Sequence, residues 1–180
     1  MITLHQITWY TLVLRISVVI SVFTFLTNLL PLSQKLGDYA TAIFLVSDTL
    51  KVVAGSAAVI VLRILTEVRA FTVLLFFSVP YQLYVLLLNL HKDWRIETDF
   101  VLASLVNLIT AYAMWRVPNK FGAILPRRTL AISLALFALL LNLHHVLPTH
   151  LTGYVSLLVY ADYIVVLFLY FRVFWNFRPA

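Results

Sequence analysis

Long apolar stretches follow one another along almost the whole chain, separated by short polar segments at 33–38, 66–69, 91–99, 117–128 and 147–152. Each stretch has roughly the 20 residues that an α-helix needs to cross the hydrocarbon core of a bilayer. The pattern therefore predicts six transmembrane helices, at approximately 8–31, 39–63, 70–90, 99–116, 129–146 and 153–174.

The continuity of these stretches excludes a β-barrel, whose strands would alternate apolar and polar residues over about 10 positions. Hydrophobic residues make up 63% of the 180 residues and charged residues only 11%, with a mean hydropathy of +0.99. So few charges cannot cover the surface of a soluble domain of this size. The predicted fold class is all-α, a polytopic membrane protein with one transmembrane domain over 1–180 and no soluble domain.

Basic residues are concentrated on one side of the predicted helices. The side that carries both termini holds nine of the 13 Lys and Arg residues and a single acid, Glu67. Basic loops remain in the cytoplasm during insertion, so both termini are predicted to be cytoplasmic, in a plasma or bacterial inner membrane. This arrangement explains the net charge of +6 without a nucleic-acid partner. The N-terminus lacks the pattern of a cleaved signal peptide, so we expect the first span to be retained.

The three odd-numbered helices carry an asparagine at the same place. The sequence LLLNLH occurs in the third and fifth helices, and FLTNLL stands at the corresponding place in the first, which aligns Asn28, Asn89 and Asn142. An internal repeat of this kind favours a fold built from similar units. We predict three consecutive hairpins around a pseudo-threefold axis, with a linear or irregular bundle as the alternative. The hairpins cover 8–63, 70–116 and 129–174.

Small and polar residues continue from each asparagine along one helix face. Positions 4, 7 and 11 residues before an asparagine lie on the same side of a helix. In a chain dominated by Leu, Val and Phe, such faces are expected to pack inside the protein, because small residues let helices approach closely. The three faces consist of Thr24, Ser21 and Ser17, of Val85, Gln82 and Ser78, and of Ala138, Ala135 and Ala131.

Ionisable and amide residues inside the predicted spans are the candidates for a functional site. Asp48 and Lys51 lie three residues apart and can pair on one helix face. Asp162 has no basic neighbour within a helical turn, so we expect it to point inward. There it is a second candidate partner for Lys51, across the bundle and in place of Asp48. A charge at bilayer depth costs about 2.5–3.5 kcal/mol, so these residues either lock helices together or line a polar path. The same two interpretations apply to Asn107, Gln82 and the three asparagines.

Four of the five histidines lie on the side opposite the termini, namely His91, His144, His145 and His150. Imidazoles can bind haem, Cu or Zn, but interfacial polarity explains histidines near loops equally well. No cofactor or metal is predicted, and His91 and His144 are the pair to test first because they are equivalent in the repeats. The chain has no cysteine, which excludes disulfides and thiolate metal sites.

Three functions are compatible with these features. The first is a transporter- or channel-like protein that moves an ion or small solute along a polar path containing Asp48, Lys51, Asn107 and Asp162. The second is a non-catalytic membrane subunit or scaffold that docks through the small-residue faces. The third is a haem- or quinone-binding redox subunit that uses the outer histidines. No motif of an enzyme is found, so catalysis is not predicted. The expected partners are lipid and either further copies of the chain or other membrane subunits.

Overall fold

The computed structural model describes residues 4–29, 38–90, 99–121 and 123–177, and these residues form α-helices with one short 3-10 turn and no strand. All six predicted helices are present. Their bounds are α1 Leu4–Leu29, α2 Asp38–Thr66, α3 Ala70–Leu90, α4 Asp99–Arg116, α5 Ile124–Val146 and α6 Thr149–Trp175, with the 3-10 turn at Asn119–Phe121.

Three helices begin four or five residues earlier than the sequence predicts. One is α1, which begins at Leu4 rather than 8, and the other two have a proline at their start. α5 begins at Ile124 rather than 129, and α6 begins at Thr149 rather than 153. Pro126 lies in the first turn of α5 and Pro148 immediately precedes α6. A proline in the first turn is tolerated because the N–H groups there have no partner within the helix. The prolines therefore mark the starts of these helices, and treating them as loop residues made the predicted loops too long.

The helices pack in chain order and close into a ring. Each helix contacts the next one along the chain, and α6 also packs against α1. Few residues separate α2 from α3, α4 from α5 and α5 from α6, so the helices of each of these pairs run in opposite directions. A closed ring of six helices has an outer face all round it and an enclosed interior.

The buried apolar core lies toward one end of this ring. Phe71 follows the α2–α3 turn and Met114 precedes the end of α4, and each is only 1% exposed. Phe174, near the end of α6, belongs to the same cluster. We call this end, formed by 66–69, 117–123 and 175–177, the basic end, because it carries most of the described arginines. Close packing of these large side chains closes the ring there.

A buried arginine holds the α4–α5 connection together. Arg127 is 3% exposed, and its guanidinium donates to the carbonyl oxygens of Val117 at 2.7 Å and Pro118 at 2.8 Å. Longer hydrogen bonds reach Asn119 Oδ1 at 3.4 Å and the Ala123 carbonyl at 3.3 Å. The arginine thus satisfies the Val117 carbonyl beyond the end of α4, while the Pro118 carbonyl also accepts a hydrogen bond from the Phe121 N–H at 3.2 Å. From the sequence, Arg127 was only one of the nine basic residues on the side of both termini. Its role in holding the α4–α5 connection became visible only in the structure.

The outer face of the ring is apolar. Every helix exposes large apolar side chains, including Val19, Val53, Phe76, Leu108, Ile132 and Phe168, and Phe76 is 76% exposed. A soluble protein rarely exposes such a continuous apolar surface, so the protein belongs in a membrane. Among the described residues, four stretches are long and apolar enough to span it, and the apolar parts of α3 and α4 are shorter. The four are Thr8–Leu26, Leu45–Thr66, Ile124–Val146 and Leu151–Trp175.

The α2–α3 turn contains a residue with a left-handed backbone. Glu67 has a φ angle of 59°, a conformation that favours glycine because a Cβ atom crowds the following carbonyl. Its N–H donates to the Arg63 carbonyl at 3.1 Å, which ends α2 with a hydrogen bond beyond its last residue. Arg63 Nε also donates to Thr72 Oγ1 at 2.9 Å, linking α2 to α3 across the turn.

Candidate functional site

A cavity of about 460 Å³ lies inside the ring, and all six helices contribute to its wall. This volume falls within the range of about 300–1,000 Å³ that is typical of sites for small molecules. The nine residues of the predicted inward faces, of which all but Val85 are small or polar, are buried or half-buried, as expected. Four of them, on α1 and α3, line the cavity, namely Ser17, Ser21, Ser78 and Gln82.

The part of the cavity nearest the basic end has an apolar wall. Phe71, Met114 and Phe174 each lie within two residues of a helix end and face the cavity. Leu62 and Leu74 line the same region, about one turn further in. These side chains are buried, so this end of the cavity is lined by hydrocarbon and aromatic rings and is closed by the core behind them.

The polar groups of the wall lie further along the ring. Lys51 is fifteen residues before the end of α2, Gln82 is twelve residues after the start of α3, and Asn107 is nine residues before the end of α4. At a rise of about 1.5 Å per residue, they lie roughly 14–22 Å from the basic end. The cavity is therefore apolar next to the basic end and carries its charged and amide groups further along, where Phe137 and Leu141 also line it; Thr110 and Tyr170 lie between the two parts.

Lys51 brings a positive charge to this polar part. Among the described lining residues, it is the only one with a formal charge. Asp48, one helical turn earlier, acts on it electrostatically but does not line the cavity. The predicted proximity of the two charges on one helix is thus present, and the cationic group is the one presented to the interior.

Gln82 has an unsatisfied hydrogen-bond acceptor. Its Oε1 atom is buried and has no partner among the described residues. Gly55 on α2 stands opposite, and a Cβ atom there would lie 3.8 Å from Gln82 Nε2 and 3.9 Å from Oε1. A buried polar atom without a partner is costly, and in a cavity wall it is a natural contact for a ligand donor.

Asn107 and the tyrosines complete the polar wall. The Asn107 side chain lines the cavity while its Nδ2 donates to the Ala103 carbonyl of the same helix at 2.8 Å. Tyr81, Tyr163 and Tyr170 also line the cavity. The tyrosines were not among the predicted site residues. The signal for them was a phenol inside an otherwise apolar span, because a buried tyrosine hydroxyl usually needs a polar partner.

Asp162 does not lie on the cavity. Its Oδ1 accepts a hydrogen bond of 2.6 Å from Ser133 Oγ, which joins α6 to α5. Its Oδ2 is buried, with no partner among the residues that the structure describes. Asp162 is thus part of an interhelical contact, and the alternative pairing with Lys51 across the bundle is not formed.

Asn142 is a packing residue. Its Nδ2 donates to Ser104 Oγ at 2.8 Å and to the Ala138 carbonyl at 2.7 Å, and Ser104 Oγ donates to the same carbonyl at 3.2 Å. The network fastens α5 to α4, as expected for amides between membrane helices. The side chains of Asn28 and Asn89 lie outside the described part of the structure, so their equivalence to Asn142 stays a prediction.

The described outer histidines make aromatic contacts. His145 stacks on Phe100 with ring centroids 4.0 Å apart, and His144 approaches His145 edge-on at 5.4 Å. His91 and the side chain of His150 lie outside the described residues. Within the described part of the chain, no three His, Cys, Asp or Glu residues are grouped as a metal site would require.

Comparisons with protein-family models, with curated proteins and with solved structures gave no match to this chain. The interpretation of the cavity therefore depends on its own chemistry.

Proposed function

We propose that the protein is a small membrane transporter, in which the ring of helices carries an ion or small solute through its central cavity. One observation carries the proposal: the cavity is bounded by all six helices and has Lys51, Gln82 and Asn107 in its wall. Ionisable residues within a membrane-spanning helix are expensive, and those that face an interior cavity usually mark a solute path.

The proposal includes a membrane topology of six spans with both termini in the cytoplasm. Basic side chains near the basic end support this orientation. Arg15 donates to the Trp175 carbonyl at 3.3 Å and lies over the Trp175 ring at 5.1 Å, and Arg128 lies over Trp115 at 5.1 Å. Arginine and tryptophan are both favoured at the membrane interface, and arginine is favoured on its cytoplasmic side.

The closed basic end favours a carrier over an open channel. Phe71, Met114 and Phe174 separate the cavity from the cytoplasmic side of the proposed topology. A solute that entered from the other side would reach Lys51 and Gln82 first and would leave only after these side chains had moved apart. Such a cycle requires a second conformation, which is typical of transporters with a binding site between helices.

The experiment is solute flux in proteoliposomes, measured by light scattering after an osmotic step. The solutes are glycerol, potassium chloride and potassium methanesulfonate, with valinomycin present so that the anion limits salt movement. Wild-type protein should accelerate the flux of at least one solute. Gly55→Leu should abolish that acceleration, because the new side chain occupies the cavity beside Gln82.

The matched control is Gly153→Leu on α6, where an added Cβ atom meets nothing within 4 Å. Both variants replace a helical glycine by the same residue, so they share the gain in helix propensity. Should Gly55→Leu fail to fold, Ala103→Leu adds bulk to the same cavity from α4. Rates equal to those of protein-free liposomes for every solute, or equal inhibition by Gly55→Leu and Gly153→Leu, would contradict the proposal.

A further inference from the structure

We infer that the ligand of the central cavity is an amphipathic anion, with its anionic head group at Lys51 and its apolar part directed toward Phe71 and Met114. The inference rests on the proposed function, because it names the class of solute that this cavity would carry. It depends on the charge of the wall, on the order of polar and apolar groups along the cavity, and on the hydrogen-bonding groups near Lys51.

The sign of the charge follows from the lining. Lys51 is the only formally charged residue among the described lining residues, and Asp48 lies outside that lining. A ligand in the cavity therefore meets Lys51 as the formally charged residue of the wall, while Asp48, one turn earlier on the same helix, acts on Lys51 from outside that lining. Because the cavity is bounded by protein rather than bulk water, the attraction between the ammonium group and an anion is stronger than it would be in solvent.

The apolar part of the ligand follows from the other end of the cavity. Leu62, Leu74 and Phe174 line the region near the basic end, together with Phe71 and Met114. No described residue with a formal charge lines that region. Moving a hydrocarbon group from water to this apolar wall is favourable, and it raises the affinity by about fourfold for each methylene group.

The distribution of polar groups disfavours a small inorganic ion or a sugar as the preferred ligand. An inorganic ion needs polar ligands or water along its whole path, and a sugar needs hydrogen-bonding groups over its whole surface. Here the strongest hydrogen-bonding groups, those of Lys51, Gln82 and Asn107, lie in the part away from the basic end. Gln82 Oε1, buried without a described partner, could accept from a hydroxyl group next to the anionic head group.

Binding of alkylsulfonates is the direct test, because the sulfonate group stays ionised and the chain length can be varied. Wild-type protein in nanodiscs is titrated calorimetrically with methane-, butane-, hexane- and octanesulfonate, and empty nanodiscs give the contribution of the lipid. Affinity should rise by up to about fourfold per added methylene group. Lys51→Met should weaken octanesulfonate binding about tenfold or more, because a charge-assisted hydrogen bond is lost. Lys51→Arg should retain most of the affinity.

Two controls isolate the charge. Lys120→Met removes a lysine from the exposed 3-10 turn and should leave octanesulfonate binding unchanged. The neutral ligand 1-octanol should bind the wild type and Lys51→Met equally. Affinity that does not depend on chain length, or on the charge at position 51, would overturn the inference.

The outcome separates this inference from the proposed function. Chain-length-dependent binding that is weakened in Lys51→Met, without flux in proteoliposomes, supports the ligand class and contradicts transport. Protein-dependent flux of chloride and methanesulfonate, together with no calorimetric preference for octanesulfonate, supports transport and overturns the ligand class.

Discussion

Replacing the buried Arg127 by methionine is expected to destabilise the protein much more than the same change at its neighbour Arg128. Arg127 is 3% exposed and holds two carbonyl groups at 2.7 and 2.8 Å, whereas Arg128 is exposed and lies 5.1 Å from the ring of Trp115. The pair is well matched because the two residues are adjacent, have the same charge and lie in the first turns of α5.

The magnitude follows from the groups left without partners. Methionine keeps the apolar stem but leaves the carbonyl of the buried Val117 without its side-chain partner, at about 1–3 kcal/mol, whereas the carbonyl of the exposed Pro118 keeps its hydrogen bond from the Phe121 N–H. The two longer hydrogen bonds of Arg127 add little to the loss of stability. Removing a buried charge offsets part of that loss, because burying the charge is itself unfavourable. We therefore expect a loss of about 2 kcal/mol for Arg127→Met. Loss of an exposed cation–π contact in Arg128→Met should cost about 0.5–1 kcal/mol.

The assay is thermal unfolding of the purified protein in one mild detergent, followed by intrinsic tryptophan fluorescence. For a chain of this size, each kcal/mol corresponds to about 2–4 °C in Tm. Arg127→Met should lower Tm by about 4–8 °C and Arg128→Met by about 1–4 °C. Arg127→Lys should lie between the wild type and Arg127→Met, since an ammonium group cannot reproduce the forked geometry of guanidinium. Equal Tm values for Arg127→Met and Arg128→Met would refute the role assigned to the buried arginine.

Two further predictions concern the α2–α3 turn and the α5–α6 contact. Glu67→Gly should raise Tm by about 2–4 °C, because a left-handed backbone costs a non-glycine residue roughly 1 kcal/mol. An unchanged or lower Tm would show that the turn gains nothing from glycine. Asp162→Asn should leave solute flux in proteoliposomes unchanged, because Asp162 is joined to Ser133 and does not line the cavity; a loss of flux with retained Tm would place Asp162 on the solute path after all.

The helices and their inward faces were predictable because both signals are local. A run of apolar residues determines where a membrane helix lies, and a spacing of 4, 7 and 11 residues stays on one face whatever the partner is. The nine residues chosen in this way, all but Val85 small or polar, are buried or half-buried. On α1 and α3 such residues line the cavity, while the α5 face packs against α4 through Ala138. Which neighbour an inward face meets is not encoded in its own spacing.

Assignment of single polar residues to the cavity was less accurate, because it depends on the rotation of each helix. Neighbouring residues point about 100° apart around a helix axis. Asp162 and Tyr163 illustrate the consequence, since Tyr163 lines the cavity and Asp162 faces Ser133. The role of Arg127 was equally hidden, because its partners are carbonyl groups that take their positions only when the α4–α5 connection has folded.

The placement of Lys51 argues for a ligand rather than for a structural lock. A charge within the membrane costs about 2.5–3.5 kcal/mol, and a lysine that served stability alone would recover most by lying between two helices against a carboxylate. Lys51 instead faces a cavity, where Asp48 acts on it from behind and where Gln82 leaves an acceptor unsatisfied. A buried acceptor without a described partner weakens the fold, but beside a lysine in the same cavity wall it is already positioned for an incoming molecule. That combination is typical of a binding site, in which the ligand supplies the interactions that the protein lacks.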